Sequence, residues 1–342
     1  MTFRVLVVGD KFIPAEEYVR QFDTLRASHD ALADVDVVTV DWDETKSEQH
    51  RLQQIMELEG ANAVRAPKEI EDAVASADAV CVHFAPIGRA IIEAAPQLKL
   101  IVAARAGLEN IDHDTASERG IVVSGVAGRN AASVAELAIG LMLAECRNIA
   151  RADRSIKSGG WRKEFGLPMV EIGTSTVGII GWGQVARQLG HKLQGLANRI
   201  VVYDPFADPK DIISAGAQPI GFDDLFRDSD FVHVMARLTP ETERFIGAAQ
   251  FKLMKPTAYF INTARSRLVD YDALLDALSS GQIGGAGLDV FDQEPLPDLS
   301  PWRLLDNVTM TTHYGGDTTG TNQTSARLVF EAIAEARSGL KD

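Results

Sequence analysis

The stretch that most constrains the fold is Thr176–Ala186, Thr-Val-Gly-Ile-Ile-Gly-Trp-Gly-Gln-Val-Ala, which is answered downstream by Asp204. Thr176–Ile180 is a short apolar, partly β-branched run suited to a strand buried on both faces. Gly181-x-Gly183-x-x-Ala186 then turns the chain into Gln184–Leu196, where apolar residues recur at helical spacing. A second apolar run, Ile200–Tyr203, ends at Asp204. Strand, glycine turn, helix, strand and acid stand in the order a dinucleotide-binding unit requires. Gly181 permits the tight turn, Gly183 lets the backbone approach a pyrophosphate, and small Ala186 lets helix pack on strand. Gln184 and Val185 open the helix, whose unpaired N–H groups and dipole favour phosphates. Asp204 is placed to accept hydrogen bonds from the adenosine ribose, and its charge would repel a 2′-phosphate. Pro205-Phe206-Ala207 brings no Arg, so NAD is expected over NADP.

A chain of 342 residues is long enough for two domains with buried cores. Its formal net charge of −14 argues against nucleic acid or an anionic membrane as a partner. The two cysteines, Cys81 and Cys146, each sit in an apolar segment, which fits buried thiols in a reducing compartment. Met1–Asp10 reads as a first strand, too short for a signal peptide, and no apolar stretch reaches membrane-spanning length. A cytoplasmic protein is expected.

Val5–Val8, Val35–Val40, Ala79–His83 and Leu100–Ala104 are apolar runs separated by segments such as Pro14–Ala27, Glu48–Gly60 and Lys68–Ala75 that read as helices. This alternation predicts a parallel sheet covered by helices. Ile121–Val123 is expected to start a second series, and Ser133-Val134-Ala135-Glu136 to cap a buried apolar helix running to about Ile149. After Asp204, strands are expected at Phe231–Met235, Ala258–Asn262, Gly285–Val290 and Val308–Thr311, with helices at Gly247–Met254 and Tyr271–Ser280. Gly315-Gly316 reads as a hinge before a last helix, Asp317–Arg337.

Three polar stretches follow predicted strands: Ile261–Ser266, Gly287–Pro295 and Thr311–Gly316. The carboxyl ends of parallel strands are where open α/β sheets hold ligands. With Asn130–Glu136, Gly178–Ala186 and Leu238–Thr242, these stretches resemble the D-isomer-specific 2-hydroxyacid dehydrogenase family. The resemblance implies an α/β fold of two Rossmann/flavodoxin-like doubly wound parallel-sheet domains. The NAD domain, 113–314, would be inserted into the substrate-binding domain, 1–112 and 315–342. It implies a catalytic set of Arg265, Glu294 and His313, and a homodimer formed through the Ser133–Ile149 helix. His313 would carry the proton of the substrate oxygen, Glu294 would fix its tautomer and favour the imidazolium, and Arg265 would grip the substrate carboxylate. Asp289 would hold the nicotinamide carboxamide. Thr263, Ala264 and the strand end at His233 would line the cofactor cleft, with His233 itself also read as a supporting or structural residue.

Family members commonly carry Arg-Ala-Gly-Val-Gly-Val-Asp-Asn-Val-Asp, whose backbone N–H groups receive the substrate carboxylate. Here Arg105-Ala-Gly-Leu-Glu-Asn-Ile-Asp112 is two residues shorter. Ala106, Gly107 and Leu108 are the matching donors, and Glu109 brings an acid that is either solvent-facing or a partner for distal substrate hydroxyls. His83–Arg89 replaces an Arg-rich segment of phosphoglycerate dehydrogenases, which argues against a phosphorylated substrate although Arg89 offers one cation. His83 is a further substrate-facing candidate, with a structural role as the other reading. Glu294 in place of Gln argues for proton transfer and against formate oxidation. The alternative reading is an NAD(H)-sensing binding protein of the corepressor type, which keeps a similar triad.

Overall fold

Continuous Val, Ile and Ala runs without polar alternation build parallel strands covered on both faces, and such runs account for both sheets of this chain. The computed structural model describes residues 2–339. Met1 and residues 340–342, the outer ends of the expected substrate domain, lie outside the described residues. The chain divides into two compact units, Met1–Arg129 with Asp317–Asp342, and Asn130–Gly316.

The first unit holds β1 (Phe3–Gly9), β2 (Val35–Asp41), β3 (Ala79–Val82), β4 (Leu100–Ala103) and β5 (Val122–Gly125), all parallel in the order β2-β1-β3-β4-β5. Strand alternation sends Val5 and Val7 to one face and Leu6 and Val8 to the other. Val5 and Val7 pack with Tyr18 and Phe22 of the helix Ala15–Arg26 and with Val329, Phe330 and Ile333 of the last helix, Thr319–Gly339. Leu6 and Val8 pack with Ile70, Ile91 and Ile92 of the opposite layer. The last helix therefore belongs to the core of the first unit.

Three expectations need correction here. Ile121–Val123 does not start a second series, because Val122–Gly125 pairs with β4 in register Leu100↔Val122. The boundary between units accordingly falls after Arg129 and not at 112. Ser133 makes no capping box: the helix runs from Ala131 to Cys146, and the Ser133 hydroxyl donates to the Asn130 carbonyl from inside the first turn.

The second unit holds β6 (Thr176–Ile180), β7 (Arg199–Tyr203), β8 (Gln218–Pro219), β9 (Phe231–Val234), β10 (Tyr259–Asn262), β11 (Gly285–Leu288) and β12 (Val308–Met310). The order is β12-β11-β10-β9-β6-β7-β8, again all parallel. The chain builds outward from β6 through β7 and β8, then crosses back to lay β9 on the other side of β6, a topological switch point. The helices Ala131–Cys146 and Gln184–Leu193 cover one face, and Phe222–Asp228, Ala248–Leu253 and Tyr271–Ser279 the other. Leu141, Met142 and Ala138 of the 131–146 helix are buried against Val177, Ile179 and Ile261, so its apolar character is explained within this unit. Among the described residues, no helix is long and apolar enough to cross a membrane.

Candidate active site

Parallel strands end at one edge of their sheet, so the segments that follow β12, β11, β10, β6 and β7 lie along one rim in that order. At β6, Gly181 has a φ of 93°, and a Cβ there would lie 2.8 Å from the Ala236 backbone. Only glycine fits that turn. At Gly183 a Cβ would meet nothing within 4 Å, so open space lies over the start of the helix Gln184–Leu193. Gly183 caps that helix without a side-chain hydrogen bond, leaving the opening N–H groups at Gln184 and Val185 without a side-chain acceptor from the cap. Ala186 is fully buried. Asp204 ties the turn to β7: Oδ2 accepts from Trp182 N at 2.7 Å, and Oδ1 from Phe206 N at 2.8 Å and Ala207 N at 3.2 Å. One lone pair of Oδ2 is left for a ribose hydroxyl. The open glycine turn, uncapped helix start and acid fit a dinucleotide.

At the end of β10 the Asn262 amide braces the turn. Its Oδ1 accepts from Ala264 N at 3.0 Å, and its Nδ2 donates to Arg265 O at 3.1 Å and to Tyr271 Oη at 3.3 Å. The Tyr271 hydroxyl donates in turn to Val290 O, linking this turn to the one after β11. Thr263 is buried, and its hydroxyl finds no partner among the described residues. Arg265 is exposed, donates to Ala264 O at 2.8 Å and makes no ion pair with a carboxylate among the described residues.

After β11 and β12 lies the densest polar cluster of this rim. His313 Nδ1 is 2.8 Å from Glu294 Oε2, and Glu294 Oε1 accepts from Phe291 N at 2.9 Å. His313 has a φ of 56°, a left-handed backbone that costs a residue with a side chain. Asp289 holds that turn, accepting from Thr311 Oγ1 at 2.6 Å, Tyr314 N at 3.2 Å and Gly315 N at 3.0 Å. Asp289 is 2% exposed, so its carboxylate anchors the His313 segment. The bracing by Asn262, Tyr271 and Asp289 was not anticipated from sequence, since most of their partners are backbone groups.

His233 takes the structural role, and its place among the cofactor-binding residues needs correction. It lies within β9, fully buried, with Nε2 3.4 Å from Met142 Sδ, and burial pushes its pKa down to about 3. Strand alternation turns it into the core beneath the 131–146 helix, so it does not line a cleft.

The first unit carries its own cluster at the ends of β1, β3 and β4. Asp10 Oδ1 accepts from Phe12 N and Ile13 N at 2.9 and 2.7 Å, and its Oδ2 lies 3.0 Å from His83 Nδ1. Arg129 Nη2 donates to His83 Nε2 at 2.9 Å, so the ring between them is neutral with its proton on Nδ1. His83 is only 2% exposed and stacks on Phe84 with ring centroids 3.9 Å apart. It therefore stands behind the rim, inside a buried Asp10–His83–Arg129 chain, and not at a substrate-facing surface. Burial lowers its pKa to about 4 against the opposite pull of Asp10, with the Arg129 cation adding to the fall. Ala106 is exposed, and Gly107 and Leu108 are half-buried.

Residues 139–315 match the family model described as "D-isomer specific 2-hydroxyacid dehydrogenase, NAD binding domain". The chain belongs to this family. The D-3-phosphoglycerate dehydrogenase of Methanocaldococcus jannaschii is 37% identical over 292 residues, covering 84% of this chain and 55% of that relative. The glyoxylate reductase of Thermococcus litoralis is 36% identical over 259 residues, 74% of this chain and 78% of the reductase. This family member thus spans about half the length of the phosphoglycerate dehydrogenases it matches. In fold it is similar to the NAD-complexed D-isomer specific 2-hydroxyacid dehydrogenase of Lactobacillus delbrueckii ssp. bulgaricus, with a TM-score of 0.78, 98% of both chains covered and 21% identity. The two parallel α/β sheets are those of the family, and the second unit contains its NAD-binding domain.

Proposed function

We propose that this chain is an NAD-dependent oxidoreductase that interconverts D-2-hydroxy acids and 2-keto acids. The observation that carries the reading is the His313–Glu294 pair, 2.8 Å apart on the rim that also bears the glycine turn. When bound, NADH supplies the two electrons of the reduction as hydride. His313 gives the proton that the keto oxygen needs, from Nε2, because Glu294 occupies Nδ1. Arg265, exposed and without a carboxylate partner among the described residues, offers a planar fork to the substrate carboxylate. The backbone N–H groups of Ala106, Gly107 and Leu108 are read as further donors to that carboxylate. Gly181, Gly183, Gln184 and Val185 would hold the pyrophosphate and Asp204 the ribose, with Thr263 and Ala264 beside the nicotinamide. Asp289 is read as acting through the His313 turn it braces.

The relatives named above are dehydrogenases and reductases, and none of them favours the reading as an NAD(H)-sensing binding protein. We further read the protein as cytoplasmic, as not binding nucleic acid given its charge of −14, and as a homodimer. Half-buried Ile139 and Leu143 with exposed Ile149 supply apolar surface for such a dimer, and sedimentation at twice the chain mass would check it.

The test is steady-state NADH oxidation over a panel of 2-keto acids. His313→Ala should cut kcat by roughly 10²- to 10⁴-fold with little change in KM. Arg265→Ala should raise KM and lower kcat together. Full turnover by His313→Ala would refute the proton-transfer assignment.

A further inference from the structure

The first unit presents an acceptor-rich, cation-poor rim beside the loop that this reading assigns to the substrate carboxylate. We propose that this rim selects 2-keto acids of four or more carbons whose chain carries hydroxyl groups and no second anion. The inference rests on the dehydrogenase reading above and narrows its substrate class.

The argument starts at Arg105, the cation nearest the Ala106–Leu108 loop in sequence. Its guanidinium cannot serve a second anion, because it is only 8% exposed, lies 5.1 Å over the Phe84 ring and is 3.1 Å from Glu57 Oε1. Glu109 Oε2 approaches the same Nη2 at 3.6 Å. Two carboxylates thus face the Arg105 cation, and the neighbouring Arg129 cation has Asp10 and Asp317 as its own anions. The other cations that sequence or position would offer are also answered: Lys46 pairs with Asp317 at 2.7 Å and Arg89 with Glu93 at 3.5 Å. A phosphate brought here would meet uncompensated carboxylates in a partly desolvated setting.

Hydroxyl groups would meet the opposite situation. Glu109 lies over the loop itself, since a Cβ on Gly107 would be 2.5 Å from its Oε2. Its side chain is 43% exposed and that of Glu57 is 38% exposed, so both carboxylates are reachable from solvent. Gln53, 3% exposed, donates Nε2 to Glu57 Oε1 at 3.4 Å, which fills that oxygen together with Arg105. The other atom of that amide, Gln53 Oε1, is buried with no donor among the described residues. The two carboxylates bring four acceptor oxygens to the donors of Arg105 and Gln53, and the group that satisfies acceptors without adding negative charge is a hydroxyl. An acid whose C1 carboxylate sits on the loop N–H groups carries its C3 and C4 hydroxyls three and four bonds from C1, within reach of Glu109.

The experiment compares kcat/KM with NADH for three acids on one skeleton: 2-oxobutanoate, 3,4-dihydroxy-2-oxobutanoate and the 4-phosphate of the latter. Wild type should favour the dihydroxy acid over 2-oxobutanoate by about 10- to 100-fold, the range of a hydrogen bond to a charged acceptor, and should use the phosphate worst. Glu109→Ala should collapse the dihydroxy-to-unsubstituted ratio by about 10-fold or more, and Glu109→Gln should improve the phosphate relative to the other two. A phosphate ester as best substrate, or Glu109→Ala and Glu109→Gln both leaving the ratios unchanged, would overturn the inference. Turnover of 2-oxobutanoate without preference overturns the inference alone, whereas no turnover of any 2-keto acid overturns the dehydrogenase reading with it.

Discussion

His313 holds its unusual backbone because neighbouring groups over-determine it: Glu294 takes the ring, and Asp289 takes the two N–H groups that follow. Glu294→Gln keeps an acceptor for Nδ1 but removes the charge, and should lower kcat by about 10²-fold with KM little changed, as steady-state kinetics would show. The buried ring of His83 titrates in a different sense. Unfolded His binds a proton below its ordinary value near 6.5, while the folded ring stays neutral down to about 4. The folded protein therefore loses stability as pH falls through that window, by up to about 3 kcal/mol, and has the full contribution above it. Denaturant titrations from pH 7 to 4 should show this loss in wild type and a flatter curve in His83→Gln. The stretches that carry Arg265, Glu294 and His313 stand out in the sequence because each follows an apolar run at the end of a parallel strand, whereas the catalytic roles proposed for the three rest on the family resemblance. Asp289 was read only as a cofactor ligand, because its partners are a hydroxyl and two main-chain N–H groups that leave no side-chain pattern. The Glu57–Arg105 contact joins residues far apart in sequence, which no local spacing reveals.

At the scale of elements, the strands that read clearly are those buried on both faces, such as β3, β4, β9 and β10, where every residue is apolar or closely packed. β5 was misplaced because it is an edge strand with Val122 55% exposed, so its pattern does not declare which sheet it joins. β8 is a two-residue strand ending in proline and left no signal. The glycine turn was legible because geometry forces its residue types. Gly181→Ala should destabilise the second unit by about 2 kcal/mol, from the positive φ and the clash at 2.8 Å with Ala236, and should weaken NADH binding. Thermal unfolding and NADH fluorescence titration would check both, and a fully stable variant with wild-type NADH affinity would contradict the account of this turn.

Across the whole chain, the order of segments carried more than any single motif. Strand β6, its glycine turn and β7 define where a dinucleotide fits, and the later strands return to the other side of β6 to bring Arg265, Glu294 and His313 onto one rim. The last helix returns to the first unit because Val329, Phe330 and Ile333 complete a core with Tyr18 and Phe22. The resemblance implied that return, by building the substrate-binding domain from both chain ends, while the crossing point at Arg129 depended on the edge strand and was not legible. The central claim is that these pieces reduce a 2-keto acid with NADH to one hand of product. The most direct measurement is chiral analysis of the 2-hydroxy acid formed by the purified protein from NADH and a 2-keto acid such as 2-oxobutanoate. The account predicts the D-enantiomer, formed in step with NADH consumption and lost in His313→Ala; the L-enantiomer, or no product at any 2-keto acid tried, would contradict it.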